Sequence, residues 1–235
     1  VKGDAVSSTY PESYSGTIWN YFPFCKGGWR RAVAEKSPPT GVADADGTER
    51  APRRRRADAQ RNVGALLEAA KTVFASAGVD APAKEITDLA GVGVGTLYRH
   101  FPRRSDLVAA VLQREIDCCA DAGPALSAAY APTSALERWL HRYTEFVGTK
   151  RGLATALHSG DPAFDALPGY FMTRMEPVLG ALLEAAIATG EIRVDVTAKD
   201  LLHAVALLCQ TVPGEELAYN QRMVAVLVDG LRRRQ

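Results

Sequence analysis

From Ala57 on, apolar side chains recur at helical spacing almost throughout. Val63, Leu66, Leu67, Ala70, Val73, Phe74 and Ala77 fall at i, i+3, i+4 and i+7, the stripe of an amphipathic helix. The same period returns at Leu107, Val108, Val111 and Leu112 and at Trp139, Tyr143, Phe146 and Val147. A wider stripe runs through Phe171, Met175, Val178, Leu179, Leu182, Leu183, Ala186 and Ile187, and a last one through Met223, Val226, Leu227 and Leu231. A β frame is therefore excluded and an all-α fold is expected. The 235 residues suffice for two modest domains with ample core. There is no internal repeat.

Breakers set the expected boundaries. Gly78 stops the first helix. Pro82 suits the first turn of a short helix over 83–90, with Ile86, Leu89 and Ala90 inward. Gly91-Val92-Gly93 breaks it, and a third short helix covers 94–101 before Pro102. A fourth starts near Arg103. Ser134-Ala-Leu-Glu137 has the spacing of a capping box, and 151–168 is looser, with two glycines and two prolines. Thr197 can cap a helix containing "LLHAVALLC" (201–209), apolar nearly all round and so expected to be central. The last helix is expected to end in Arg232–Arg234.

The stretch "AGVGVGTLYRHF" (90–101) has two possible uses. A dinucleotide loop needs Gly-x-Gly-x-x-Gly between a buried strand and a long helix. Here the third loop glycine would be Thr96, and the preceding "AKEITDLA" has helical spacing. A phosphate-binding Walker loop fails as well, because no Gly-Lys-Ser/Thr follows. A short helix, a glycine turn and a second short helix instead match a helix-turn-helix. Gly91 supplies the left-handed turn residue, and Val92 plugs the angle between the helices. Leu97 and Phe101, at i and i+4, face the domain core. Gly95 and Thr96 are small enough for close groove approach, and Thr96, Tyr98 and His100 offer donors to phosphate oxygens. Arg99 can reach a phosphate or a guanine edge, and Arg103 and Arg104 can clamp the backbone. Lys84 and Val94 complete the candidate DNA-facing set.

Charge distribution agrees. Residues 50–104 carry eleven Lys/Arg against five Asp/Glu, while 105–235 carry twelve against sixteen. The net charge of +1 conceals a basic first part suited to a polyanion. Arg53, Arg54, Arg55 and Arg56, just before the first stripe, are expected to form an arm along the DNA backbone or in the minor groove.

Residues 1–41 differ in kind, holding seven of the eighteen aromatics and no period. They are expected to derive from an upstream reading of the gene, with synthesis starting at or near Val42 through a non-ATG codon; the alternative is an interaction arm. Residues 1–52 are expected to be a disordered leader. Cys25, Cys118, Cys119 and Cys209 show no CxxC spacing, so reduced cytosolic thiols are expected, with no metal and no cofactor. No apolar run approaches the ~18 residues of a membrane span, and a cytoplasmic location is expected.

The run "EITDLAGVGVGTLYRHFPRRSDLVAAVL" resembles the DNA-binding domain of the TetR family of bacterial transcriptional regulators, over about residues 60–113. "FVGTKRGLATAL" (146–157), with the helices after it, is similar to the SbtR-like C-terminal subgroup. The resemblance implies an N-terminal three-helix operator-binding domain at 53–104. It also implies a C-terminal helical domain at 105–235 that dimerises and binds a small effector. It puts Tyr98 and His100 at phosphate-contacting positions and Arg104 where a lysine usually opens the fourth helix. Three departures stand out: Gly93 at a usual Ser cap, Ala81-Pro82 at a usual Ser/Thr cap, and Thr87 at a usual alanine.

By this resemblance the chain is expected to be a repressor released from double-stranded operator DNA by a small molecule. Candidate pocket residues are Trp139, Tyr143, Phe146, His158, Phe164, Tyr170, Met172, His203 and Gln210. Each also has a plain core reading, strongest for Phe146. The weak acidity of this half favours a cationic or neutral ligand. Met175, Leu179, Leu182 and Leu183, with Met223, Leu227 and Leu231, are the expected homodimer interface, a four-helix bundle across a two-fold axis. The alternative class is a helical small-molecule carrier or enzyme using the C-terminal pocket. No nucleophile–base pair or paired carboxylates occur at useful spacing, and no catalytic residue is assigned.

Overall fold

The computed structural model describes residues 50–210 and 217–233, with side chains from Asp58 onward except at 149–152, 154 and 155. The leader 1–49 and the side chains of Arg53–Arg56 thus lie outside the described residues. The chain runs α1 (Arg50–Ala77), α2 (Ala83–Ala90), α3 (Val94–His100), α4 (Arg104–Ala129), α5 (Pro132–Gly152) and α6 (Ala154–Leu157). A 3-10 turn at Pro162–Phe164 leads to α7 (Leu167–Ala188), α8 (Ala198–Leu208) and α9 (Leu217–Leu231). The all-α expectation holds. Among the described residues the one isolated β-bridge joins Ile192 to Arg232. There the Arg193 amide donates to the Leu231 carbonyl at 2.9 Å and the Arg233 amide to Glu191 at 2.8 Å. Arg232 therefore lies just past the last helix rather than in it.

Two boundaries differ from expectation. α1 begins at Arg50, so residues 50–52 and the basic run 53–56 are its first turns and not an arm ahead of it. Proline is tolerated in a first turn and arginine is a good helix former, which is why Pro52 does not delay the start. α5 opens at Pro132, leaving Ser134 inside the helix. Its neighbour Thr133 instead donates its hydroxyl to the Glu191 carboxylate at 2.6 Å. The Thr197 cap is present. Its hydroxyl accepts from the Asp200 amide at 3.1 Å, and the Asp200 carboxylate accepts from the Thr197 amide at 3.0 Å.

The long α4 is the spine. It packs against α1, α5 and α7. On the α1 side Lys71 meets Glu115 at 2.7 Å and Arg114 meets Glu68 at 3.2 Å. At the α7 crossing, a Cβ on Gly123 would lie 2.2 Å from Val178 Cγ1, so the two helices approach closely only because residue 123 has no side chain. The α5 side is aromatic. Trp139, Tyr143, Phe146 and Phe171 form a buried stack with successive ring centroids 5.9, 6.1 and 5.8 Å apart. One continuous apolar core runs from Leu66 to Leu231. The expected domain boundary at 104/105 falls at the first residue of α4, and the core crosses it. α8 is a cover rather than a central helix: Leu201, Leu202 and Val205 are buried while Leu207 is exposed.

Candidate nucleic-acid interface

α2 and α3 meet at a turn made by one left-handed residue. Gly91 has φ +67°, and its amide donates to Asp88 at 3.3 Å. A side chain there would be strained. The Val92 amide returns to the Thr87 carbonyl at 3.1 Å, and Val92 packs against the core. Thr87 is buried, and its hydroxyl donates to the Lys84 carbonyl at 3.1 Å. A buried hydroxyl with a local partner costs little. Gly93 is the extended N-cap of α3 and Pro82 that of α2, and neither makes a side-chain cap bond.

α3 is held by its inner face. Leu97 is 3% exposed and Phe101 is buried beside it. The outer face carries Val94 at 40% and Tyr98 at 53% exposure, with Gly95, Arg99 and His100 also outward and Thr96 half-buried. Lys84 is exposed and paired with Asp88 at 2.6 Å along α2. Leu89, expected inward, is 57% exposed. Ile86 and Thr87, with Ala83 and Ala90 half-buried, set the inner arc of α2, and Leu89 falls outside it.

The two arginines at the start of α4 have different surroundings. Arg103 is exposed, and its guanidinium binds the Asp106 carboxylate at 2.7 and 3.2 Å. The Arg103 backbone amide donates to Asp106 at 3.0 Å, which caps α4. Asp161 stands 3.7 Å from the same guanidinium. The hydrogen bond to Asp106 raises the Arg103 pKa and lowers that of Asp106 below the usual carboxylate value. The Ala163 amide, then the Ser105 hydroxyl, lower that of Asp161. Arg104 turns inward. It donates to the Ala81 carbonyl and lies 5.5 Å over the Phe74 ring. The expectation of Arg104 as an outward backbone clamp is corrected: its head ties α4 to the α1–α2 loop. A cleft of about 150 Å³ opens between Tyr98, Arg103, Arg104 and Leu107. Asp106 stands three residues after the cap, a spacing that signals its capping role in the sequence. Asp161 is brought to Arg103 by the fold from 58 residues away, with no local signal.

Two family descriptions match the chain. "Bacterial regulatory proteins, tetR family" covers residues 66–111, and "Transcriptional regulator SbtR-like, C-terminal domain" covers 131–233. The crystal structure of the TetR transcriptional regulator SCO0520 from Streptomyces coelicolor is similar at 32% identity and a TM-score of 0.63, over 74% of this chain and 99% of that one. The chain belongs to the TetR family of transcriptional regulators. The TetR regulatory protein from Mycobacterium vanbaalenii is similar at 34% identity and a TM-score of 0.60, over 76% of this chain and 99% of that one. The HTH-type transcriptional regulator SAR0097 of Staphylococcus aureus (strain MRSA252) is 36% identical over 72 residues, 29% of this chain and 37% of that protein. The chain thus spans little more than a third of the length of the curated relatives it matches.

TetR-family regulators bind operator DNA and small effectors and act as dimers. The expected pocket residues of this member are not drawn into one site. Trp139, Tyr143, Phe146 and Phe164 are core residues. The Trp139 indole donates to the Cys119 carbonyl at 2.9 Å and the Tyr143 hydroxyl to Leu202 at 3.1 Å. Burial pushes the Tyr143 hydroxyl far above its usual pKa and the Cys119 thiol up to about 12. Tyr170 donates to Asp117 at 2.7 Å, beside Arg174, which bridges Asp117 and Asp121. Met172 is half-buried and His158 exposed. The Gln210 side chain donates to the Ala206 carbonyl at 3.1 Å. His203 is half-buried, and burial first, then Lys199, lowers its pKa.

The dimer expectation also changes. Met175, Leu179, Leu182, Leu183 and Leu231 are buried within the single chain and have no surface left for a partner. They hold their helices on the protomer's own core. Met223 and Leu227 are half-buried, and exposed apolar groups stand at Leu207 on α8 and at Leu217 and Val226 on α9. Among the described residues no helix is long and apolar enough to cross a membrane, and no group of three or more metal-binding side chains occurs.

Proposed function

We propose that the chain is a homodimeric repressor whose α3 enters the major groove of operator DNA and which a small effector releases. The carrying observation is the split of α3 into a buried face at Leu97 and Phe101 and an outward face at Val94, Gly95, Tyr98, Arg99 and His100. Tyr98, His100 and Arg103 serve phosphate oxygens, Thr96 and Arg99 lie toward the base edges, and Lys84 adds positive charge. Arg53–Arg56, in the first turns of α1, add four positive charges for the DNA backbone or minor groove. The outward apolar groups of α8 and α9, with Met223 and Leu227, form the contact between two copies. It sets the two α3 helices at half-sites ~34 Å apart. An effector bound among the C-terminal helices favours a spacing that no longer fits. The acidity of that half suits a cationic or neutral molecule, and the protein acts in the cytoplasm.

A gel-shift titration of the full chain against the DNA upstream of its own gene tests this. The expected result is tight, sequence-selective binding that weakens steeply with salt. Salt-sensitive binding without selectivity would count against it.

A further inference from the structure

We propose that Val94 reads thymine: its isopropyl group packs on a thymine C5-methyl in the major groove, so each half-site holds a thymine beneath the start of α3. The inference rests on the operator-binding function proposed above and names the base chemistry its surface accepts.

Three observations carry it. Between Gly91 and Leu97 the one side-chain hydrogen-bonding group is the Thr96 hydroxyl. Bidentate reading of guanine or adenine needs Arg, Lys, Asn or Gln, and this segment has none. Val94 is 40% exposed at the first position of α3, at the edge of the face that Leu97 and Phe101 bury, and Tyr98 continues its row one turn on at i+4. Gly95 is empty by something other than packing. A Cβ there would meet nothing within 4 Å, and its φ is not positive. Glycine inside a helix is unfavourable relative to alanine, so the protein's own fold does not call for it. A bare residue beside Val94 lets the backbone approach until the valine methyls touch the groove floor.

The chemistry then selects the base. Thymine alone among the four bases presents a methyl group on its major-groove edge. Valine in a helix is held in one χ1 rotamer, so its methyls are presented with little loss of side-chain freedom.

The test uses the full chain and a duplex selected by it from random sequences. Each thymine is replaced singly by deoxyuridine, which removes the C5-methyl and keeps base pairing. One position per half-site is expected to lose about fourfold in affinity, the effect of one methyl returned to water. Val94→Ala, a change at an exposed position, is expected to keep the helical spectrum and to bind the thymine and uracil duplexes within about twofold of each other. A uracil series with no sensitive position, or a Val94→Ala chain that keeps the full discrimination, overturns the inference and leaves the operator function standing. Failure to select any preferred duplex overturns both.

Discussion

Tyr98 and Tyr143 mark two regions of the same protein. Tyr98 is half-exposed on a seven-residue helix held mainly by Leu97 and Phe101. Tyr143 is sealed in an aromatic stack with its hydroxyl bonded to Leu202. In the first region the functional groups point away from the fold; in the second the side chains expected to be functional are the fold. An aromatic residue at helical spacing therefore has no fixed meaning. What decides is whether a neighbouring helix covers it, and α7 and α8 cover Tyr143 while nothing comparable covers the outer face of α3.

The contrast can be broken at several points. Trp139→Ala removes the first ring of the stack and an indole bonded to Cys119. It is expected to cost about 3–5 kcal/mol in urea unfolding. A loss under ~1 kcal/mol would mean that the stack lines a space rather than fills one. Gly123→Ala forces a methyl against Val178 and should destabilise by about 1–3 kcal/mol. Val178→Ala in the same chain should recover most of that loss, because the clash is with that side chain. Arg104→Ala removes the contact with Phe74 and the Ala81 carbonyl. It should lower stability by ~1 kcal/mol, which thermal melts would detect, whereas Arg103→Ala should mainly flatten the salt dependence of DNA binding. Equal effects of the two on the salt slope would place both guanidiniums on the DNA.

The smallest effect concerns pH. Asp106 has its folded pKa lowered by Arg103. Its contribution is fully present above the unfolded carboxylate value, about 3.9, and is lost as pH falls through the folded value. Asp106→Asn should therefore narrow the gap between melting temperatures at neutral and acid pH. An unchanged gap would show that the cap carries no such linkage.

Much of the first region was legible in the sequence because its information is local. The left-handed Gly91, the plug at Val92 and the Leu97–Phe101 pair each follow from spacing within a dozen residues, and the structure places them as expected. Arg104 misled because its partners, Phe74 and Ala81, come from other elements, and an arginine looks the same in sequence whether it faces DNA or a ring. Met175, Leu179, Leu182 and Leu183 misled for a related reason. An apolar stripe says that a face is buried, and whether the burial is by the same chain or by a second copy depends on where α4 and α5 pass. The outward Leu207 and Val226 became informative only once the inward faces were known.

The central claim, that the outer face of α3 binds DNA, is tested most directly by Gly95→Leu in a fluorescence-anisotropy titration on the selected duplex. The side chain would enter open space in the protein, and leucine is the better helix former. Folding and dimerisation should therefore be kept while affinity falls by about 100-fold or more through a clash with the groove. Unchanged affinity in a folded Gly95→Leu dimer would contradict the account.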